Sequence, residues 1–272
     1  MLKSKRRLYQ EAMEYIFSFI VAKYSILISM KLSIVIPVYN EEKLIVKTIE
    51  QVVNAHLPEG MKRELVIVDD GSTDGTVRKI KLQIQIQNKK QNSCTIFFIE
   101  KKKNEGKGAA LKDAFLKTTG DIVLIQDADL EYSPDDYPIL LEAFVSQHAD
   151  VVYGSRFISH RPHRVLYFWH SIMNKFLTMF SNMLSNLNLT DMETGFKVFR
   201  GDLIRKIAPN LKTKRFGFEP EITARIARIP EIKIYEVGIS YAGRTYKDGK
   251  KIGWVDGVKA IWEIVYFNLI AK

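Results

Sequence analysis

The chain has 272 residues, enough to bury a sizeable core as one large domain or as one domain with an appendage. Apolar residues make up 46% and charged residues 26%, the balance of an ordinary globular protein, and the formal net charge of +10 suits a polyanionic partner: nucleic acid, an anionic membrane surface or phosphorylated substrates. Cys94 is the single cysteine, which excludes an intrachain disulfide and fits a reducing compartment.

Residues 15–29 are apolar apart from Lys23 and a few hydroxyls, but a spanning helix needs roughly 20 apolar residues, so this run is short. The basic start (Lys3, Lys5, Arg6, Arg7) has the charge of a signal peptide without a small-residue cleavage site. Residues 1–30 are therefore expected to be an amphipathic or interfacial extension, and residues 31–272 the folded domain. From residue 31 short apolar strands alternate with helices. Strands are expected at Leu32–Ile36, Glu64–Val68, Thr95–Ile99, Ile122–Gln126 and Val151–Tyr153. Helical spacing marks Glu42–Val53, Thr76–Gln87 (with Asp74 as a cap), Lys107–Thr118 and Pro134–Gln147. This alternation predicts an α/β fold, a mostly parallel sheet flanked by helices, with ligands bound beyond the carboxyl ends of the strands.

That rule collects the polar residues on one rim. The first strand ends in Pro37-Val38-Tyr39-Asn40-Glu41 and the second in Asp69-Asp70-Gly71. The third leads to Gly106-Lys107-Gly108, whose glycines would let backbone amides approach a phosphate or ribose, with Lys107 supplying charge. The fourth ends in Asp127-Ala128-Asp129-Leu130-Glu131. In an extended segment residues i and i+2 share a face, so Asp127 and Asp129 can point at one place, and Glu131 can follow if the extension continues. Such carboxylates suit a divalent cation, which Mg²⁺ sites often share with substrate phosphates; they suit a solvated acidic turn as well. Singly, each of these loops also has a plain reading as turn or cap chemistry.

As a set, Val35–Glu41 (VIPVYNE), Val66–Thr76 (VIVDDGSTDGT), Asn104–Ala110 (NEGKGAA), Gln126–Leu130 (QDADL), Val151–Phe157 (VVYGSRF), Asp191–Phe199 (DMETGFKVF), Phe216–Ile222 (FGFEPEI) and Tyr246–Gly253 (YKDGKKIG) resemble the inverting GT-A glycosyltransferases of family 2. With the later segments the chain is most similar to dolichyl- and polyprenyl-phosphate hexosyltransferases of the dolichyl-phosphate mannose synthase type, over about residues 31–265. The resemblance implies a Rossmann-like GT-A domain that moves a hexose from a nucleotide sugar (GDP-mannose or UDP-glucose type) to a polyprenyl or dolichyl phosphate. It implies that Pro37, Tyr39 and Glu41 line the nucleoside pocket, that Asp70 contacts the base and that Asp127 faces the ribose or nucleotide. Asp129 would ligate Mg²⁺ or Mn²⁺, with Glu131 joining the metal shell at a position that is often Gln in mannose synthases. Ser155 and Arg156 would hold the acceptor phosphate, and Arg244 and Lys250 would close over the donor diphosphate. Asp191 matches the place of a general base, and equally suits a loop acid that caps or forms a salt bridge.

Arg164–Leu187 carries bulky apolar residues at helical spacing, which suits either a bilayer interface beside a lipid phosphate or a core-facing helix, or both on opposite faces. Val258–Ile270 repeats the pattern. The acceptor- and membrane-facing region is expected at about residues 156–190, with a carboxyl-terminal helix at 253–270. Membrane contact is expected to be peripheral, on the cytoplasmic face. The alternative is transfer to a hydroxyl of a glycan or polysaccharide precursor, although the Gln-x-x-Arg-Trp motif of processive enzymes is missing. No nucleic-acid-binding motif accompanies the positive charge, and Gly106-Lys107-Gly108 runs on to Leu111 where a dinucleotide fingerprint needs glycine.

Overall fold

A computed structural model of the chain describes residues 30–90, 94–158, 164, 165, 167–215, 217–243 and 254–271. The expected extension before Met30, and the expected diphosphate-closing residues Arg244 and Lys250, lie outside the described residues.

The first half of the domain runs β1 (Lys31–Val38), α1 (Ile45–Asn54), β2 (Lys62–Asp69), α2 (Thr76–Lys89), β3 (Cys94–Glu100), α3 (Lys107–Lys117), β4 (Ile122–Ile125) and α4 (Tyr137–Ser146), with a 3-10 turn at Pro134–Asp136 before α4. The second runs β5 (Val151–Ser155), α5 (Phe168–Ser185), β6 (Lys197–Arg200), α6 (Gly201–Ile207), α7 (Phe218–Ala227), β7 (Ile234–Gly238) and α8 (Trp254–Val265), which continues as a π-helical turn at Tyr266–Ile270. The sequence-based elements recur with ends moved by a few residues. β6, α6, α7 and β7 are additions.

Alternate residues of a strand enter opposite faces. In β1, Leu32, Ile34, Ile36 and Val38 enter one apolar core and Val35 the other. β2 repeats this, with Leu65 and Ile67 on the first side and Val66 and Val68 on the second. Strands buried on both faces need helices over both. α1, α2 and α4 supply the first cover through Ile45, Ile49, Ile80, Leu140 and Phe144. α3, α6, α7 and α8 supply the second through Leu111, Phe115, Ile204, Ile222 and Ile264.

Seven strands form one sheet in the order β3-β2-β1-β4-β6-β5-β7. β6 runs antiparallel to both its neighbours, and the other pairings are parallel. The single reversed strand leaves β4, β5 and β7 pointing the same way as β1, so their carboxyl ends share one rim.

Pro37 fits this frame for a local reason. Val35 O accepts from Gln126 N (2.9 Å) while Val38 O accepts from Asp70 N (2.8 Å), so odd-numbered positions of β1 face β4 and even-numbered ones face β2. β4 has already ended at Ile125, opposite Val35. The N–H that proline lacks therefore has no strand to pair with, the setting in which a sheet tolerates proline.

Candidate active site

The chain fills the sheet to one side of β1 with β2 and β3, then crosses to the other side with β4. Open α/β sheets bind ligands at such a switch point, so the loops after β1 and β4 flank the expected crevice. The loops after β1 and β2 are stitched together: Asn40 N donates to Ser72 Oγ (2.9 Å), Asn40 Oδ1 accepts from Thr73 N (2.9 Å), and Glu41 N donates to Thr76 Oγ1 (3.0 Å). Asn40 takes a left-handed backbone (φ 52°), which asparagine tolerates better than most residues. Tyr39 and Glu41 are thereby fixed, partly exposed, at the end of β1.

Three expected donor contacts prove to be occupied by the protein itself. Asp70, expected at the base, is only 2% exposed and accepts from Glu105 N (3.1 Å) and Gly106 N (2.6 Å), with Lys101 Nζ at 3.4 Å. It ties the loop after β3 to the end of β2. Gly106 and Gly108, expected to admit a phosphate, are covered by the strap at Thr213–Arg215. A Cβ on Gly106 would lie 2.3 Å from Lys214 O and one on Gly108 2.4 Å from Thr213 O, and Ala109 N in the first turn of α3 donates to Lys214 O (3.1 Å). Lys107, expected to face phosphate, points its ammonium at Asp127 (3.0 Å) and Glu219 (3.1 Å). Burial opposes that charge, but the two carboxylates outweigh it and hold the lysine protonated well above its usual range.

The acidic turn also departs from the extended reading. β4 ends at Ile125, and Asp127, Ala128 and Asp129 lie on a turn. Buried Gln126 shapes it: its Nε2 donates to Asp127 O (3.0 Å) and Tyr132 O (3.3 Å), and its Oε1 accepts from Tyr137 (2.8 Å). Leu130 is left-handed (φ 61°), a strained state for a residue with a branched side chain and one that gathers at functional sites. Beyond it Glu131 turns to Tyr241, whose hydroxyl donates to Oε2 (2.8 Å), and Glu131 O accepts from Ala242 N (2.9 Å). Among the described residues no three acids or histidines form a ready cation cage. Asp129, with Asp127 beside it, still offers the hard oxygens that Mg²⁺ or Mn²⁺ takes when substrate phosphates complete the shell.

At the end of β5, Arg156 is 8% exposed and held by a buried carboxylate. Its Nε and Nη2 donate to Asp191 (2.7 Å each) and its backbone N to Asp191 Oδ2 (3.0 Å). Glu236 on β7 fixes that acid in turn, accepting from Thr190 N (2.8 Å) and Asp191 N (3.2 Å). Both Asp191 oxygens are thus engaged by the Arg156 guanidinium, which Asp191 holds in place. Ser155 differs from the expectation: it is fully buried, and its hydroxyl pairs with Thr190 Oγ1 (2.6 Å) and accepts from Phe157 N (3.1 Å). It shapes the turn that presents Arg156 and offers no open face to a phosphate.

Sequence reasoning passed over Glu219, Glu236 and Tyr132. Glu219 lay inside the quoted FGFEPEI segment, but nothing in its spacing announces a partner more than a hundred residues away. Tyr132, which accepts from Gly195 N (2.9 Å) and stacks on Phe196 (4.9 Å between rings), binds the acidic turn to the segment before β6.

Residues 33–208 match the family model described as glycosyl transferase family 2. The chain belongs to that family and is a glycosyltransferase. It is 27% identical over 250 residues to an undecaprenyl-phosphate mannosyltransferase of Micrococcus luteus, across 89% of this chain and 96% of the relative. It is 30% identical to a dolichyl-phosphate beta-glucosyltransferase of Dictyostelium discoideum, across 81% of this chain and 68% of the relative. A dolichol-phosphate mannosyltransferase of Pyrococcus furiosus is 26% identical, across 82% of this chain and 61% of the relative. Among solved structures, a glucosyl-3-phosphoglycerate synthase from Mycobacterium tuberculosis in complex with Mn²⁺, uridine diphosphate and phosphoglyceric acid shares the fold. Its TM-score is 0.65 at 16% identity, over 92% of this chain and 82% of that one.

Two substitutions test this geometry. Gly106 has φ 107° and ψ 165°, a backbone essentially restricted to glycine. Gly106→Ala should lower unfolding free energy by about 1–3 kcal/mol in denaturant titration. Asp191→Asn separates base from positioning group. A general base contributes about 10²–10⁴-fold, so a loss of transfer well below 10²-fold, with no missing limb in the pH profile, is the expected result.

Proposed function

We propose that this glycosyltransferase moves a hexose from a nucleotide sugar of the GDP-mannose or UDP-glucose type to a polyprenyl or dolichyl phosphate, with inversion at the anomeric carbon. The observation that carries the reading is the buried Arg156, locked by Asp191 at the end of β5, across the crevice from the Asp127–Asp129 turn. A guanidinium has five N–H donors and Asp191 takes two through the side chain, so the group keeps donors for a phosphate. β4 and β5 are separated by β6, which sets their ends about 10 Å apart and leaves room for a sugar ring between donor and acceptor groups.

The chemistry follows from charge. A phosphate monoester is largely dianionic near neutral pH, its second pKa being about 6, and it attacks without a base. A sugar hydroxyl needs one. The capture of both Asp191 oxygens by Arg156 therefore favours the phosphate acceptor over a glycan hydroxyl. Arg156 would orient the phosphate oxygen on one face of the ring. Tyr39, Glu41 and the Asp127–Asp129 turn would hold the nucleotide on the other face, the direction from which it leaves. Mg²⁺ or Mn²⁺ held by Asp129 would neutralise charge on the diphosphate. The metal-bound structural relative and the carboxylates of the turn support that assignment.

The lipid end of the reading rests on α5 and α8, which pack on each other. Only Leu177, Thr178 and Ser181 of α5 are buried. Phe168, Trp169 (77% exposed), Met173 and Phe176 face outward, joined by Trp262 (60%) and Leu269 at the other helix. Helices with such a face, and with basic residues such as Lys175 and Arg164 nearby, lie in membrane interfaces. No helix among the described residues is long and apolar enough to cross a bilayer. The attachment in this reading is peripheral, on the cytoplasmic face.

Incubation with a panel of nucleotide sugars and a short polyprenyl phosphate, read by mass spectrometry, should yield a glycosylated lipid phosphate. A sugar attached only to glycan hydroxyls would reject the acceptor. Asp129→Ala should reduce transfer by on the order of 10³-fold and abolish metal-dependent nucleotide binding in calorimetry. The protein should sediment with anionic phospholipid vesicles at low salt and less at high salt, and replacing Trp169 and Trp262 by Ser should lower the bound fraction. Absence of sedimentation at low salt would remove the membrane from the proposal.

A further inference from the structure

The segment joining the two halves of the site carries an acid that the proposed reaction leaves unused. At one end Asp191 grips Arg156. At the other end Gly195 abuts Asp127: a Cβ on Gly195 would lie 2.3 Å from Asp127 Oδ2. Glu193 stands midway between Asp191 and Gly195 in sequence. Its Oε1 is buried and has no hydrogen-bond partner. The charged groups around it belong to both halves: Glu219 and Lys197 toward the nucleotide-side ion pairs, Arg156 and Asp191 toward the acceptor side. An orphaned buried acceptor is costly, and native proteins complete one with a water, an ion or a ligand, or keep it for catalysis.

The missing partner must be a hydrogen-bond donor of modest size. At this oxygen a phosphate is opposed by charge, since it would meet the Glu193 carboxylate itself with Glu219 beside it, whereas the Asp191 charge is taken up by Arg156. A cation is already present on either side in Lys197 and Arg156. A neutral hydroxyl meets both conditions, and the ring that must lie between Asp127 and Arg156 carries several.

We infer that Glu193 is a specificity-determining residue whose Oε1 accepts a hydrogen bond from a hydroxyl of the hexose being transferred. The inference rests on the reading of this site as a hexose-transfer site and names which side chain reads the sugar. Burial, with repulsion from Glu219, raises the carboxyl pKa against the pull of Lys197 and Arg156, which suits a group whose partner is uncharged. Lys197 belongs to the same arrangement: it is buried under β6 with its ammonium donating to Thr194 O and lying 5.1 Å from the Tyr153 ring centre, and it positions the Glu193 segment without needing to touch the sugar.

The test uses Glu193→Gln and Glu193→Ala in the full chain. Two quantities are measured: affinity for the nucleoside diphosphate alone and for the nucleotide hexose, and kcat/KM for two nucleotide hexoses that differ in one hydroxyl. Wild type should prefer one hexose. Glu193→Ala should reduce that preference by about tenfold or more while binding the nucleoside diphosphate as before. Glu193→Gln, which keeps an acceptor oxygen and the same shape, should recover part of the preference. An unchanged preference in both variants overturns the inference, as does an equal loss of affinity for diphosphate and nucleotide hexose, which would mark a structural role. Thermal melting of the Gln variant guards against misfolding as the cause. If wild type itself transfers no hexose from any nucleotide sugar, the proposed function fails and this inference with it; if wild type transfers and the preference persists in the variants, only the inference fails.

Discussion

The rim is held together by one half-buried cation. Lys107, the first residue of α3, sits between Asp127 on the turn after β4 and Glu219 on α7. Three segments far apart in sequence therefore meet at a single ammonium. Removing one partner would leave the remaining charges in this half-buried site without compensation. The arrangement fixes the backbone of the acidic turn before any ligand arrives. It also explains why the glycines flanking Lys107 serve packing: α3 must start close against Thr213–Arg215 for the lysine to reach inward.

A second ion pair orders the acceptor side by the same logic. Arg156 alone would be a mobile cation beside two aromatic rings, Phe157 and Tyr241. Asp191 converts it into a planar donor of fixed direction, and Glu236 on β7 fixes Asp191 through backbone amides. The reversed strand β6 is what makes this possible. By inserting between β4 and β5 it separates the two ion pairs by a ring's width, and the segment leading into it carries Asp191, Glu193 and Gly195 across the gap.

The parallel core was open to reading from the sequence because its signals are local. Apolar runs such as Ile122–Ile125, and helix faces such as that of α1, follow from residues close in the chain. β6 and β7 were missed because charged residues break them, β6 reading KVFR and β7 IYEVG, so neither shows a clean apolar run. For the site, the loops gathered by the sequence do share one rim, and several of their side chains meet protein partners there. Asp70 and Lys107 both look like ligand groups by residue type. Which charge they meet depends on Gly106 N, Glu105 N and Glu219, partners that spacing does not reveal. The i, i+2 reading of Asp127, Asp129 and Glu131 failed for a backbone reason: Gln126 ends the strand by bonding across the turn, and Leu130 reverses it.

The division of the helices follows from the same sheet. α1 and α4 cover one face with their apolar sides and keep little of them in solvent, whereas α5 joins the other face through a narrow stripe at Leu177 and keeps its aromatic side outward. A helix that buries so little of its apolar surface in its own protein gains little from folding alone. It gains more when the outward side leaves water. α5 follows β5, and β5 ends at Arg156. The element that most needs an apolar environment is thus the next one in the chain after the residue that would grip a lipid's phosphate, and a lipid phosphate is a substrate whose apolar tail and anionic head would meet both requirements together.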